Sequence, residues 1–131
     1  FDVYLGCNES ESAQLARVLG FADGAKNPEA LLERATNMRQ SLNIAGVVIH
    51  PVKFALAAGS EGGSIVDGPY VVEPKISTGA GDHFNAGFCL GLILGGSFEQ
   101  ALLAGVATSG HYVRTAESPN IEALCRFLET W

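Results

Sequence analysis

Ser77-Thr78-Gly79-Ala80-Gly81-Asp82-His83-Phe84-Asn85-Ala86-Gly87 is the stretch on which the reading of the fold turns. Small residues immediately before a helix leave several backbone N–H groups without intrahelical partners, and the helix dipole adds partial positive charge there. Such a turn can hold an anion, with Asp82 expected at its rim and opening a helix that runs to about Gly95. A carboxylate beside free amides suits the transfer of a phosphoryl group to a hydroxyl, because the amides stabilise phosphate charge while the Asp accepts the proton. The same residues also read as an ordinary glycine turn closed by an N-capping Asp, and alone they do not separate the two. Other glycine signatures fail. There is no GK[ST], so no P-loop, and position 84, where a dinucleotide fingerprint needs its third glycine, is Phe. A GxGD tetrapeptide in a membrane aspartyl protease needs its Asp inside a spanning helix. The longest apolar stretch here, residues 86–96, ends at Ser97, Glu99 and Gln100, whereas a span needs about 20 residues.

Outward from this turn the pattern alternates between strands and helices. Val3-Tyr4-Leu5 reads as a strand feeding a helix, with Asn8 as cap, Glu9 and Glu11 in the first turn, and Leu15, Val18 and Leu19 on the apolar face. Phe1 is not an initiator Met and stands directly before this strand, so the chain is expected to begin mid-protein. A second helix is expected from the cap Asn27 and Pro28, with Leu31, Ala35 and Met38 recurring at intervals of four and three. Ile44 to Ile49 forms a near-continuous apolar strand, as in a sheet covered on both faces. Phe54–Ala57, Ser64–Val66 and Tyr70–Val72, separated by Gly59-Ser60-Glu61-Gly62-Gly63 and Asp67-Gly68, read as short strands in edge hairpins. Two more helices follow, one opened by Ser97 with Gln100 as capping-box partner, the other capped by Ser118 and Pro119 with Ile121, Leu124, Cys125 and Leu128 on one face. The fold class is α/β, in one partial domain spanning residues 1–131.

Composition narrows the function. With 47% hydrophobic and 17% charged residues the chain is a packed domain, not a disordered segment. Eight Lys and Arg against 14 Asp and Glu give a net charge of −6, and the basic residues are scattered, which argues against a nucleic-acid partner. Cys7, Cys89 and Cys125 are odd in number and share no CxxC spacing, so neither a disulfide framework nor a zinc site is expected, and a cytoplasmic setting fits best. Cys7 and Cys89 read as small buried hydrophobes, His50 and His111 as structural, and His83 as a surface residue beside the candidate base. Gly87, Gly91 and Gly95 form a stripe along one helix, as a close approach to a neighbouring backbone would require.

Taken with its flanks, Gly79-Ala80-Gly81-Asp82-x-Phe84-Asn85-Ala86-Gly87 closely resembles the C-terminal signature of the ribokinase-like (PfkB) carbohydrate kinases. Asn8-x-x-Glu11 after a strand is similar to that family's N-x-x-E motif, and Gly59-x-x-Gly62 lies where the family carries a G-x-x-G loop along the nucleotide. The resemblance spans nearly the whole chain and matches the C-terminal portion of such a kinase. It implies the family's three-layer α/β/α sandwich, here the C-terminal part of the sheet with flanking helices.

The resemblance also implies roles. Asp82 matches the catalytic base, and the amides of Gly79, Ala80 and Gly81 match the anion hole for the transferred phosphoryl group. Asn8 and Glu11 match the metal and phosphate motif, acting on Mg²⁺ through water, since that ion keeps much of its hydration shell. Gly59 and Gly62 match positions where backbone approaches ATP closely. The implied partners are ATP and a sugar or sugar-like alcohol, with no membrane, and a homodimer through the N-terminal part of such kinases is compatible with them. Ile76, Ser77 and Ala57 depart from the Asp, Thr and Thr common in the family, and Val106 stands where some members place an adenine-region Asn. Two other readings stay open: a nucleotide- or phosphate-binding module without turnover, and a capped turn in an unrelated α/β protein.

Overall fold

The first strand, β1 (Tyr4–Cys7), runs straight into α1 (Glu9–Val18), because Asn8 stays extended and caps the helix. The computed structural model describes residues 1–22, 24 and 26–131, and these form two compact units, Phe1–Val66 and Asp67–Trp131. In the first unit α2 (Pro28–Leu42) follows, capped as expected by Asn27, whose side chain accepts from the Ala30 amide at 2.8 Å. It ends at Asn43 in the left-handed region, a conformation Asn tolerates better than most residues. Then come β2 (Gly46–Ile49), β3 (Phe54–Gly59) and β4 (Gly62–Asp67).

The sheet order is β1-β2-β3-β4, with β1 parallel to β2 and β2 antiparallel to β3. β3 and β4 are joined by Ser60 and Glu61 alone, a two-residue connection that only antiparallel strands allow. Of the strands expected as edge hairpins, β3 is therefore central and only β4 lies at the edge. The core of this unit is Leu31, Ala35 and Met38 of α2 against Val47, Ile49, Leu56 and Ala58 of β2 and β3, each essentially inaccessible. Burying each of the larger side chains contributes about 1.5–3 kcal/mol. Arg34 is also buried in α2, where its Nη1 donates to Ser12 Oγ of α1 at 3.1 Å and ties the two helices together.

The second unit is helical: α3 (Ala80–Ile93), α4 (Phe98–Thr115) and α5 (Ile121–Thr130). The segment Tyr70–Val72, expected as a strand, is not one. Its carbonyl partner is the Arg114 guanidinium, which donates to Tyr70 O at 3.1 Å, and the Lys75 amide donates to Val113 O at 2.8 Å, so the backbone runs along α4 instead of pairing with a strand. Of the expected glycine stripe, Gly87 and Gly91 lie against Thr108 and Ala101 of α4, while Gly95, with φ +79°, terminates α3 in open space. The cap of α5 is Asn120, which accepts from the Ala123 amide, because the Ser118 hydroxyl is committed to His83. Leu124 is the buried residue of that helix, and Ile121, Cys125 and Leu128 are exposed. Cys89 is exposed as well, so of the two cysteines expected to be buried only Cys7 is. Among the described residues no helix is long and apolar enough to cross a membrane.

Candidate active site

Helix α3 starts two residues earlier than expected. Gly79 is its N-cap, at φ +87° and ψ 0°, with no side chain capping the helix, so Ala80, Gly81 and Asp82 form its first turn. Asp82 is therefore not the capping residue, and the reading of this turn as one closed by an N-capping Asp fails. The left-handed φ falls on Gly79, where every side chain is strained, and not on Gly81. Of the amides expected to form an anion hole, that of Ala80 donates to Ser77 O at 3.1 Å. Those of Gly79 and Gly81 meet no acceptor among the described residues, and neither does the Asp82 amide, which was not among those expected. The Asp82 side chain is exposed beside them, and its carboxylate makes no hydrogen bond or ion pair with the described residues. This gives a free carboxylate next to free N–H groups at the positive end of a 14-residue helix, which can hold an anion and accept a proton.

Three side chains that sequence spacing did not bring together hold the turn. His83 Nδ1 lies 2.8 Å from the Gly79 carbonyl oxygen, and its Nε2 lies 2.8 Å from Ser118 Oγ. The His83 ring stacks on Tyr112 with centroids 3.6 Å apart and planes 10° off parallel, and Tyr112 OH donates to Thr78 O at 3.1 Å. Tyr112 and Ser118 are 34 and 35 residues from their partners, so no local pattern reveals them.

In the first unit Asn8 and Glu11 meet directly. Asn8 Oδ1 accepts from the Glu11 amide at 2.9 Å, and Glu11 Oε2 accepts from the Asn8 amide at 2.8 Å, a reciprocal capping box. Both residues thus have a structural use, and Glu11 keeps its second carboxylate oxygen and its exposure. No group of three or more metal-ligating side chains exists among the described residues. One free carboxylate oxygen fits a water-mediated contact to Mg²⁺, which binds through few protein groups and keeps several waters. Burial, reinforced by Glu11 and opposed by Arg34, pushes the neighbouring Cys7 thiol up to about 12. Burial likewise holds the His50 imidazole below its usual range, against the opposing pull of Glu11. Gly59 and Gly62 flank the β3–β4 turn, and Gly62, at φ +129° with open space where a Cβ would be, is a position only glycine fills without strain.

The family model of prokaryotic ketohexokinases matches residues 1–131, the whole chain. The chain belongs to that family. This ketohexokinase-family chain is 29% identical, over 127 residues, to a ketohexokinase of Haloferax volcanii, covering 95% of itself and 32% of that relative. Among solved structures it is similar to the ribokinase of Thermotoga maritima, with a TM-score of 0.79 and 22% identity over 96% of this chain and 42% of that one. It is also similar to a ribokinase II of Escherichia coli in complex with ATP and Mg²⁺, with a TM-score of 0.75 and 18% identity over 98% of this chain and 39% of that one. The ketohexokinase-family chain thus has the ribokinase fold, and it spans about a third of the length of its curated relative.

Proposed function

We propose that the protein carrying these residues is an ATP-dependent carbohydrate kinase that phosphorylates a hydroxyl of a ketohexose. The observation that carries this reading is the Asp82 carboxylate, left free by a helix that starts at Gly79 and exposed beside the unpaired Gly81 and Asp82 amides. Membership of the ketohexokinase family supports a ketohexose as the substrate class.

Asp82 accepts the proton of the sugar hydroxyl as the oxygen of that hydroxyl bonds to the γ-phosphorus and the β–γ bridging oxygen leaves with ADP. The loose transition state of such a transfer asks little of its base, so an exposed carboxylate suffices, while the Gly79, Gly81 and Asp82 amides stabilise charge on the phosphoryl oxygens. The Ala80 amide, already bonded to Ser77 O, takes no part in this. Mg²⁺ bound with the nucleotide would neutralise phosphate charge. Glu11 would meet its hydration shell through the carboxylate oxygen that the capping box leaves free, with the Asn8 amide holding that carboxylate in place. The backbone around Gly59 and Gly62 would hold the nucleotide, since neither residue carries a Cβ to block its approach. Free thiols at Cys7, Cys89 and Cys125 go with a cytoplasmic setting.

The test is phosphoryl transfer from ATP by the full-length protein across a panel of ketohexoses, aldoses and nucleosides. Turnover on a ketohexose well above the rest is the expected result. Nucleotide binding without transfer to any acceptor would favour a binding module instead.

A further inference from the structure

Among the described residues, four of five helices begin with a side-chain cap, from Asn8, Asn27, Ser97 and Asn120, each of which occupies a backbone amide of the first turn. Such a cap at α3 would occupy the amides that an arriving phosphoryl group needs. The turn before α3 nevertheless needs support, since Gly79 has more conformational freedom to lose than any other residue type. Support comes from the carbonyl side. His83 reaches back one turn to Gly79 O, Tyr112 reaches Thr78 O, and the two rings lie face to face. A carbonyl oxygen brings no proton, so Nδ1 of His83 is the protonated nitrogen, and in the neutral ring Nε2 accepts from the Ser118 hydroxyl. The Gly79 carbonyl thereby sets the tautomer, and Ser118 at the opposite nitrogen holds the plane of the ring.

We infer that His83 and Tyr112 are positioning residues for phosphoryl transfer: together they fix the carbonyls of Thr78 and Gly79, so that the turn is rigid while its amides stay open. This inference rests on the kinase reading above, and its consequence is specific. Loosening the turn misdirects the amides in the transition state, where small displacements are costly, and leaves the remaining contacts to nucleotide alone.

The experiment compares His83→Phe, which keeps a ring for the stack and loses both polar contacts, Tyr112→Phe, which loses only the bond to Thr78, their double variant, and His83→Asn, whose amide can still reach Gly79 O. Kinetics on the full-length protein are read together with amide exchange at residues 79–82. We expect each Phe variant to lower kcat by roughly 10-fold or more with the KM for ATP within about twofold. Exchange at residues 79–82 should accelerate, His83→Asn should recover most of kcat, and the double variant should lose less than the product of the two single losses. Wild-type kcat in both Phe variants would overturn the inference, as would a fall in kcat with unchanged exchange at residues 79–82. Asp82→Asn in the same series separates the two levels. Full turnover by that variant sinks the kinase reading of the site, and the inference with it, whereas a dead Asp82→Asn beside fully active Phe variants sinks the inference alone.

Discussion

Gly91 of α3 lies so close to Ala101 of α4 that a Cβ added to it would stand 2.6 Å from the Ala101 Cα. Backbone cannot yield as a flexible side chain can, so Gly91→Ala should push the two helices apart. The gain in helix propensity, about 1 kcal/mol, is outweighed by an overpacking cost of about 1–3 kcal/mol or more. Chemical denaturation should show a net loss of stability, in contrast to Gly24→Ala, where nothing lies within 4 Å.

Asp82→Asn keeps the shape of the side chain and removes its basicity. Because the carboxylate is engaged neither in capping nor in an ion pair among the described residues, the stability loss should stay within about 0.3–1 kcal/mol, from the charge at the helix start. In the full-length protein kcat should fall by roughly 10²–10⁴ with little change in ATP affinity. Steady-state kinetics alongside a thermal melt provide the check, and turnover at the wild-type rate would remove Asp82 from the chemistry.

Glu11→Gln tests the metal role against the capping role. Gln also serves in a capping box, so the bond to the Asn8 amide can persist and the stability loss should stay within about 0.3–1 kcal/mol, from the charge at the helix start. The Mg²⁺ concentration for half-maximal activity should rise several-fold, and more than the KM for the sugar, because one negative charge facing a hydrated cation is gone. A magnesium titration that matches the wild type would leave Glu11 with the capping role alone.

His50 should make the stability of the first unit pH-dependent. Burial lowers its folded-state pKa below the unfolded value of 6.5, so below that pH the unfolded chain takes up a proton that the folded chain resists. The stabilisation is complete above about pH 6.5 and is lost progressively as the pH falls below it. Urea midpoints measured across this range should decline toward acid in the wild type and decline less in His50→Gln.

Local chemistry was legible where a single residue type has one use. Asn8, Asn27 and Ser97 each satisfy the amide three residues on, and each helix start followed. Ser118 and Asn120 are both good caps within three residues of one another, and only the long-range bond to His83 decides between them. Tyr70–Val72 has the composition of a strand, yet composition does not say that Arg114 and Val113 will take its backbone partners. At the candidate site the Gly79–Asp82 sequence announced free amides and a carboxylate. Which glycine adopts the left-handed conformation, which amide is already used, and that Tyr112 braces the turn depend on contacts made across α3 and α4.

The two-residue connection between Gly59 and Gly62 also sets a timetable for assembly. β3 and β4 can meet as soon as Ser60 and Glu61 turn, on a scale of about 1–10 μs for a hairpin. The register Tyr4 to Gly46 and Cys7 to Ile49 brings together segments separated by two helices, and the chain must close that loop before the parallel pairing is rewarded. Refolding should therefore proceed from the C-terminal edge of this sheet toward its N-terminal edge, and pulse-labelled exchange should find Ala55–Val66 protected before Leu5–Cys7.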